Sequence, residues 1–130
     1  MMERYLIDTD VIIDHLRGIE KARDFLRGVK SEGGEIVYSV ITKAEVYAGV
    51  RPGEEKRVKF LMGSMVEVPI TGEIAEAAGR YKCKFFASHG LLLPDALIAA
   101  SAKKADATLI TLNKKHYPMR DIKTKVPYRK

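Results

Sequence analysis

Four short apolar runs, at residues 5–8, 36–40, 66–69 and 108–111, alternate with longer stretches in which apolar side chains recur every three or four positions. Parallel strands need a crossover between them, and a helical crossover covers the sheet it connects, so this alternation restricts the chain to few architectures. An α/β fold in three layers is expected, with a central, mostly parallel sheet flanked by helices. The 130 residues, 46% of them hydrophobic, are expected to form one domain spanning 1–130, because a chain of that size can bury one core without disulfides or a structural metal.

The helical stretches are bounded by recognisable signals. A helix over 11–16 follows the turn Asp8-Thr9-Asp10, and Gly18 separates it from a second over 19–30, where Ala22, Phe25, Leu26 and Val29 share a face. Thr42 is placed to N-cap a helix running to 50, which Arg51-Pro52-Gly53 stops. Another helix covers 54–62. Thr71 caps a long helix reaching 87, with Ile74, Ala78, Tyr81 and Phe85 aligned, and Pro94 opens a last one over 95–104. Beyond Asn113 the pattern fades, and a basic, weakly structured end is expected.

Three acids interrupt otherwise apolar stretches. Asp8 stands between Tyr5-Leu6-Ile7 and Val11-Ile12-Ile13, Glu45 lies within Val40-Ile41-Thr42-Lys43-Ala44-Glu45-Val46, and Asp95 within Leu91-Leu92-Leu93-Pro94-Asp95-Ala96-Leu97-Ile98. A carboxylate held among buried side chains costs roughly several kcal/mol unless it is paired, hydrogen-bonded or metal-bound, and one shared cation accounts for all three. Ligands of an open parallel sheet bind beyond the carboxyl ends of its strands. Asp8, Glu45 and Asn113 each follow a strand and face that edge, and the start of the Asp95 helix can return to it. Oxygen ligands alone favour Mg2+ or Mn2+ over zinc. Each acid also has an ordinary structural role open to it. Thr42-Lys43-Ala44-Glu45 reads as a capping box, Asp95 suits the positive end of its helix, and Asp10 caps a helix as readily as it holds a metal-bound water. Asp14 reads as a solvated helix residue.

Charge and cysteine content narrow the setting. The net charge is +6, and nine of the 23 basic residues lie between Lys103 and Lys130, opposed by Asp106 and Asp121. A basic end of this kind attracts a polyanion such as RNA, or serves only as a solvated, lysine-rich tail. Cys83 is the only cysteine, which excludes an intrachain disulfide and a cysteine-based zinc site. No apolar run approaches the ~18 residues of a membrane span or a signal-peptide core, so a cytoplasmic protein with no membrane association is expected.

Taken together, Leu6-Ile7-Asp8-Thr9-Asp10-Val11-Ile12-Ile13-Asp14, Ser39-Val40-Ile41-Thr42-Lys43-Ala44-Glu45-Val46-Tyr47-Ala48-Gly49, Pro94-Asp95-Ala96-Leu97-Ile98-Ala99-Ala100 and Leu109-Ile110-Thr111-Leu112-Asn113 resemble the motifs of PIN-domain proteins. The likeness is greatest to the VapC-type toxin ribonucleases of toxin–antitoxin pairs. The resemblance implies a PIN-like three-layer fold, with Asp8, Glu45 and Asp95 as catalytic metal ligands for Mg2+ or Mn2+. It implies a supporting Thr111, and weaker metal contacts from Asn113 directly and from Asp10 through a water. It further implies hydrolysis of single-stranded RNA to leave a 5′-phosphate, a cognate antitoxin that blocks the site, and a homodimer. The sequence departs from the fuller pattern at Asn113, where a fourth aspartate commonly stands; the amide oxygen adds no charge, which bears on whether a second metal binds.

Two other readings start from the same residues. Asp8-Thr9-Asp10 imitates the nucleophile and acid pair of haloacid dehalogenase-type phosphatases, but Ile12 stands where that class prefers threonine or valine, and no late pair of acids follows. A PIN-like fold that binds RNA or protein without cutting is the non-enzymatic alternative. His15, His89 and His116 belong to no shared motif and read as surface or helix-end residues. Phe60, Leu61 and Met62 read either as a dimer surface or as core.

Overall fold

Strand alternation decides which helices lie on which face of the sheet. In the computed structural model, which describes residues 2–129, Ile7, Ile36, Tyr38 and Ile110 point to one side and Leu6, Val37 and Leu109 to the other. The strands are β1 (Arg4–Ile7), β2 (Glu35–Ser39), β3 (Val66–Val68), β4 (Thr108–Ile110) and β5 (Thr124–Lys125). They form one sheet in the order β3-β2-β1-β4-β5, with every pairing parallel. The expected three-layer α/β fold is therefore observed.

On the first face lie α1 (Thr9–Leu16), α2 (Glu20–Ser31) and α4 (Glu55–Gly63), with Val11, Ile12, Leu16, Leu26, Val29, Val58 and Met62 packed against the strands. The second face holds α5 (Gly72–His89) and α6 (Leu93–Lys104). The short helix α3 (Val40–Ala48) joins the layers, with Val46 in the first cluster and Ile41 against the second. Each fully buried leucine or isoleucine contributes about 1.5–3 kcal/mol by leaving water. In α6, Ala96, Ile98, Ala99, Ala100, Ser101 and Ala102 are all buried, so sheet and neighbouring helices enclose it and its small side chains permit close packing. Gly90, in the left-handed conformation (φ 66°), closes α5 with its N–H on Phe86 O at 2.7 Å, two residues beyond the expected end.

Gly34 is constrained by space. A Cβ there would stand 2.8 Å from Val29 Cγ1 and 3.2 Å from both Tyr5 Cε2 and Val29 O, and a helical valine has little rotamer freedom to withdraw. Gly34→Ala is expected to destabilise the fold by about 1–3 kcal/mol, read as a lower urea midpoint with an unchanged slope.

Several local expectations need correction. Helix α1 begins at Thr9, two residues earlier than expected, because Asp8 and not Asp10 is its N-cap. Ser39, rather than Thr42, caps α3, so Thr42 and Glu45 lie inside that helix and the capping-box reading of Glu45 fails. Asp14 is not solvated: it is buried and accepts a 2.8 Å hydrogen bond from the Tyr128 hydroxyl. Residues 114–129 are ordered. They make a 3-10 turn (Lys114–His116), bury Tyr117 and Met119, and pair β5 with β4. Lys130, the last of the basic end, lies outside the described residues. Of the apolar trio in α4, Phe60 is exposed and Met62 is core. Among the described residues no helix is long and apolar enough to cross a membrane.

Candidate active site

The strand order places a topological switch between β1 and β4: the chain runs outward from β1 through β2 to β3, then returns to the other side of β1. Asp8 stands at the carboxyl end of β1 and Thr111 directly after β4, so both reach this crevice. Residues 105–107 alone connect α6 to β4, hence α6 runs back across the sheet and its first turn, with Asp95, lies at the same edge.

Asp8 is 7% exposed and heavily hydrogen-bonded. Its Oδ1 accepts from the Thr9 amide at 2.8 Å, and its Oδ2 accepts from the hydroxyls of Thr111 and Tyr117, each at 2.8 Å. The Tyr117 oxygen is also 3.3 Å from Asp95 Oδ1, so one buried phenol spans the two acids. Thr111 in turn accepts from the Asn113 amide at 3.0 Å. Glu45 projects from α3 and accepts from Thr9 Oγ1 at 2.6 Å, and that hydroxyl lies 3.0 Å from Thr42 Oγ1. Asp10, in the first turn of α1, accepts from Leu112 N at 3.1 Å and from Asn113 Nδ2 at 3.0 Å through Oδ2, whereas its buried Oδ1 has no hydrogen-bond partner.

The acids act on one another electrostatically. Burial, and then the charge of Asp8, push the Asp10 carboxyl up to about 6. Burial and Asp8 likewise raise Asp95, with Glu45 adding to the effect and His116 opposing it. The Tyr117 phenol is pushed far above its ordinary value by burial and by Asp8 and Asp95, so it keeps its proton. Repulsion between partly buried carboxylates, together with an unsatisfied acidic oxygen, is what a hard divalent cation relieves, and the donor set fits Mg2+ or Mn2+. Among the described residues, however, no three acidic, histidine or cysteine side chains already converge as a metal cage. Each carboxylate is instead held by hydroxyl or amide donors.

Asp10→Asn tests this frustration. An acid whose folded pKa is raised binds more protons in the native state between pH 4 and 6, so its burial penalty grows as pH rises through that window and is complete above it. The substitution is expected to stabilise the metal-free protein by about 1–2 kcal/mol at pH 8, after allowing for partial exposure, and to have no such effect near pH 4. Thermal melts at both pH values in EDTA would show it.

The structure gathers Asp8, Asp95, Asp10, Thr111 and Asn113 around the β1–β4 crevice and joins Glu45 to them through Thr9. Asn113 contacts the group as a donor to Asp10. His116, read as a surface residue, is exposed but stands at the rim, with Nδ1 3.7 Å from Asp95 Oδ2. Thr9, Thr42 and Tyr117 also bond into this group, and the motifs do not single them out. Thr9 lies between two acids, a signal that was available; Tyr117 follows an irregular segment with no periodicity to flag it. Beside Asp10 a cleft of about 550 Å3 is lined by Leu112, Asn113, Val126, Tyr128 and Arg129. A larger cleft, about 680 Å3, opens at the opposite edge of the sheet near Arg4, Thr108, Arg120 and Lys123. It contains none of the clustered acids, which lie at the carboxyl ends of the strands.

Comparison with known proteins places the fold in a family. The PIN domain model matches residues 5–122. The chain belongs to the PIN domain family. Within that family it is of the VapC type: it is 41% identical to Ribonuclease VapC10 of Mycobacterium tuberculosis over 115 residues, 88% of this chain and 86% of the relative. Ribonuclease VapC19 of the same organism is 38% identical across 88% of this chain and 92% of its own. Among solved structures, a toxin–antitoxin complex from Klebsiella pneumoniae superposes with a TM-score of 0.78 at 26% identity, covering 95% of this chain and 98% of that one.

Proposed function

We propose that this protein is a metal-dependent endoribonuclease, the toxin of a toxin–antitoxin pair, which hydrolyses single-stranded RNA using Asp8, Glu45 and Asp95. The observation carrying this reading is the line of hydrogen bonds at one sheet edge that runs from Glu45 through Thr9 to Asp8 and from Asp8 through Tyr117 to Asp95. The names of the relatives supply the substrate class and the antitoxin. Residues 1–130 act as one PIN-like nuclease domain, which works as a homodimer.

Asp8 and Asp95 would hold Mg2+ or Mn2+, with Glu45 joining them and Asp10 and Asn113 supporting through water or the amide oxygen. A bound cation would supply a lower pKa for a water and stabilisation of charge on the phosphate; attack of that water on phosphorus, with the bond to the 3′ oxygen breaking, would leave a 5′-phosphate. The protein's own residues orient the site: Thr111 and Thr9 fix the carboxylates, and the enclosed α6 keeps Asp95 in place. A phosphodiester would be repelled by these acids without a cation, which supports the metal-dependent reading.

Cleavage of end-labelled single-stranded RNA with manganese, with magnesium and with EDTA, comparing wild type with Asp95→Asn, tests the proposal. Metal-dependent cutting that disappears in the variant supports it. Equal cutting by both proteins, or none by either, would overturn the activity.

The basic end divides into separate regions once folded. Lys103 pairs with Asp121 and Lys104 with Glu73, at the end of α6 away from Asp95. Lys114 and Lys115 remain next to Asn113, exposed on the 3-10 turn. Replacing both by alanine is expected to weaken RNA binding about 3- to 10-fold at low salt. It should also lower the slope of log affinity against log salt by about one to two, whereas Lys103→Ala should leave that slope unchanged.

A further inference from the structure

Tyr117 is 5% exposed, with its ring in the core cluster shared by α5, α6, Leu6 and Leu109. It cannot swing away. Its amide bonds to Lys114 O at 3.0 Å, closing the 3-10 turn, and Met119 is buried two residues later. From that fixed position the hydroxyl reaches Asp8 Oδ2 at 2.8 Å and Asp95 Oδ1 at 3.3 Å, joining residues that β1 and α6 bring from distant parts of the chain. A core aromatic needs no hydroxyl, and phenylalanine would fill the same space without a buried polar group to satisfy. The phenol has one proton, shared unequally between a shorter bond to Asp8 and a longer one to Asp95, so its polar end bridges two carboxylates that would otherwise repel each other.

We propose that the Tyr117 hydroxyl is a positioning group for the cation, holding Asp8 and Asp95 together before the metal arrives and thereby setting how tightly it binds. The inference rests on the metal-dependent reading above. Groups that orient metal ligands through hydrogen bonds typically change metal affinity by about 10- to 100-fold when removed, because the ligands must then be ordered by the metal itself.

The test is calorimetric titration of metal-free protein with Mn2+, comparing wild type, Tyr117→Phe and Tyr81→Phe. Tyr81 donates to Asp121, far from the acids, so its variant removes a hydroxyl–carboxylate bond of the same kind at an unrelated place. Tyr117→Phe is expected to bind Mn2+ about 10- to 100-fold more weakly, with Tyr81→Phe equal to wild type. Equal affinity in all three proteins would overturn the role of Tyr117 while leaving the metal site standing. A wild type that binds no Mn2+ would overturn both the role and the metal-dependent reading. A second measurement needs no variant. The chain has six tyrosines and no tryptophan, so Mn2+ should perturb the near-ultraviolet tyrosine spectrum of wild type, and saturation without any perturbation would also refute the proposal.

Discussion

Asp8→Asn is expected to reduce RNA cleavage by three or more orders of magnitude, roughly the loss that follows removal of a group on which transition-state charge stabilisation depends. The same change should abolish the rise in melting temperature that millimolar manganese gives the wild type, since a ligand that binds only the folded state stabilises it by mass action. Asp8 is the common point of the site. It accepts from Thr9, Thr111 and Tyr117, and its charge raises both Asp10 and Asp95. An asparagine nitrogen in place of Oδ2 would face two hydroxyl donors, so a metal-free cost of about 1–3 kcal/mol is also expected. That cost is measured separately by urea unfolding in EDTA. If the variant unfolds normally, retains the manganese shift and still cuts, Asp8 is not a ligand and the site assignment fails.

Thr111→Val should have the largest effect on stability among the conservative changes near the site, about 2–4 kcal/mol. The Thr111 side chain is fully buried, and its hydroxyl both donates to Asp8 and accepts from the Asn113 amide. Valine keeps the shape but leaves a buried carboxylate short of one donor and an amide without its acceptor, and such unmet groups cost far more than the average hydrogen bond contributes. Thr111→Ser should restore most of the loss. A valine variant as stable as wild type in chemical denaturation would show that the Asp8 environment does not depend on this hydroxyl and that the carboxylate is not tightly held by it.

Most of the layered architecture could be read in the chain because its signals are local. Strand runs ending at Asp8 and near Thr111, and the three- and four-residue spacing of Ala22, Phe25, Leu26 and Val29, depend only on near neighbours. The errors lie where a long-range contact outweighs a local preference. Thr42 has the chemistry of an N-cap, but Ser39 takes that place and leaves Thr42 beside Thr9. Asp14 looks solvated until Tyr128 folds back onto it. The strand β5 has too few residues to show alternation, and forms because Leu109 and Thr111 offer their amides to the carbonyls of Lys123 and Lys125.

By itself, the sequence determined the α/β class, the motif residues Asp8, Glu45 and Asp95, and the edge of the sheet where they belong. Only the tertiary structure decided how those acids are held: Thr9 between Asp8 and Glu45, Tyr117 between Asp8 and Asp95, and a basic end divided between opposite edges of the sheet. The physical reason is range. Periodicity and capping act over a few residues, whereas the Tyr117–Asp8 bond joins positions 109 apart and exists only after β1, α6 and the 3-10 turn have packed around one core.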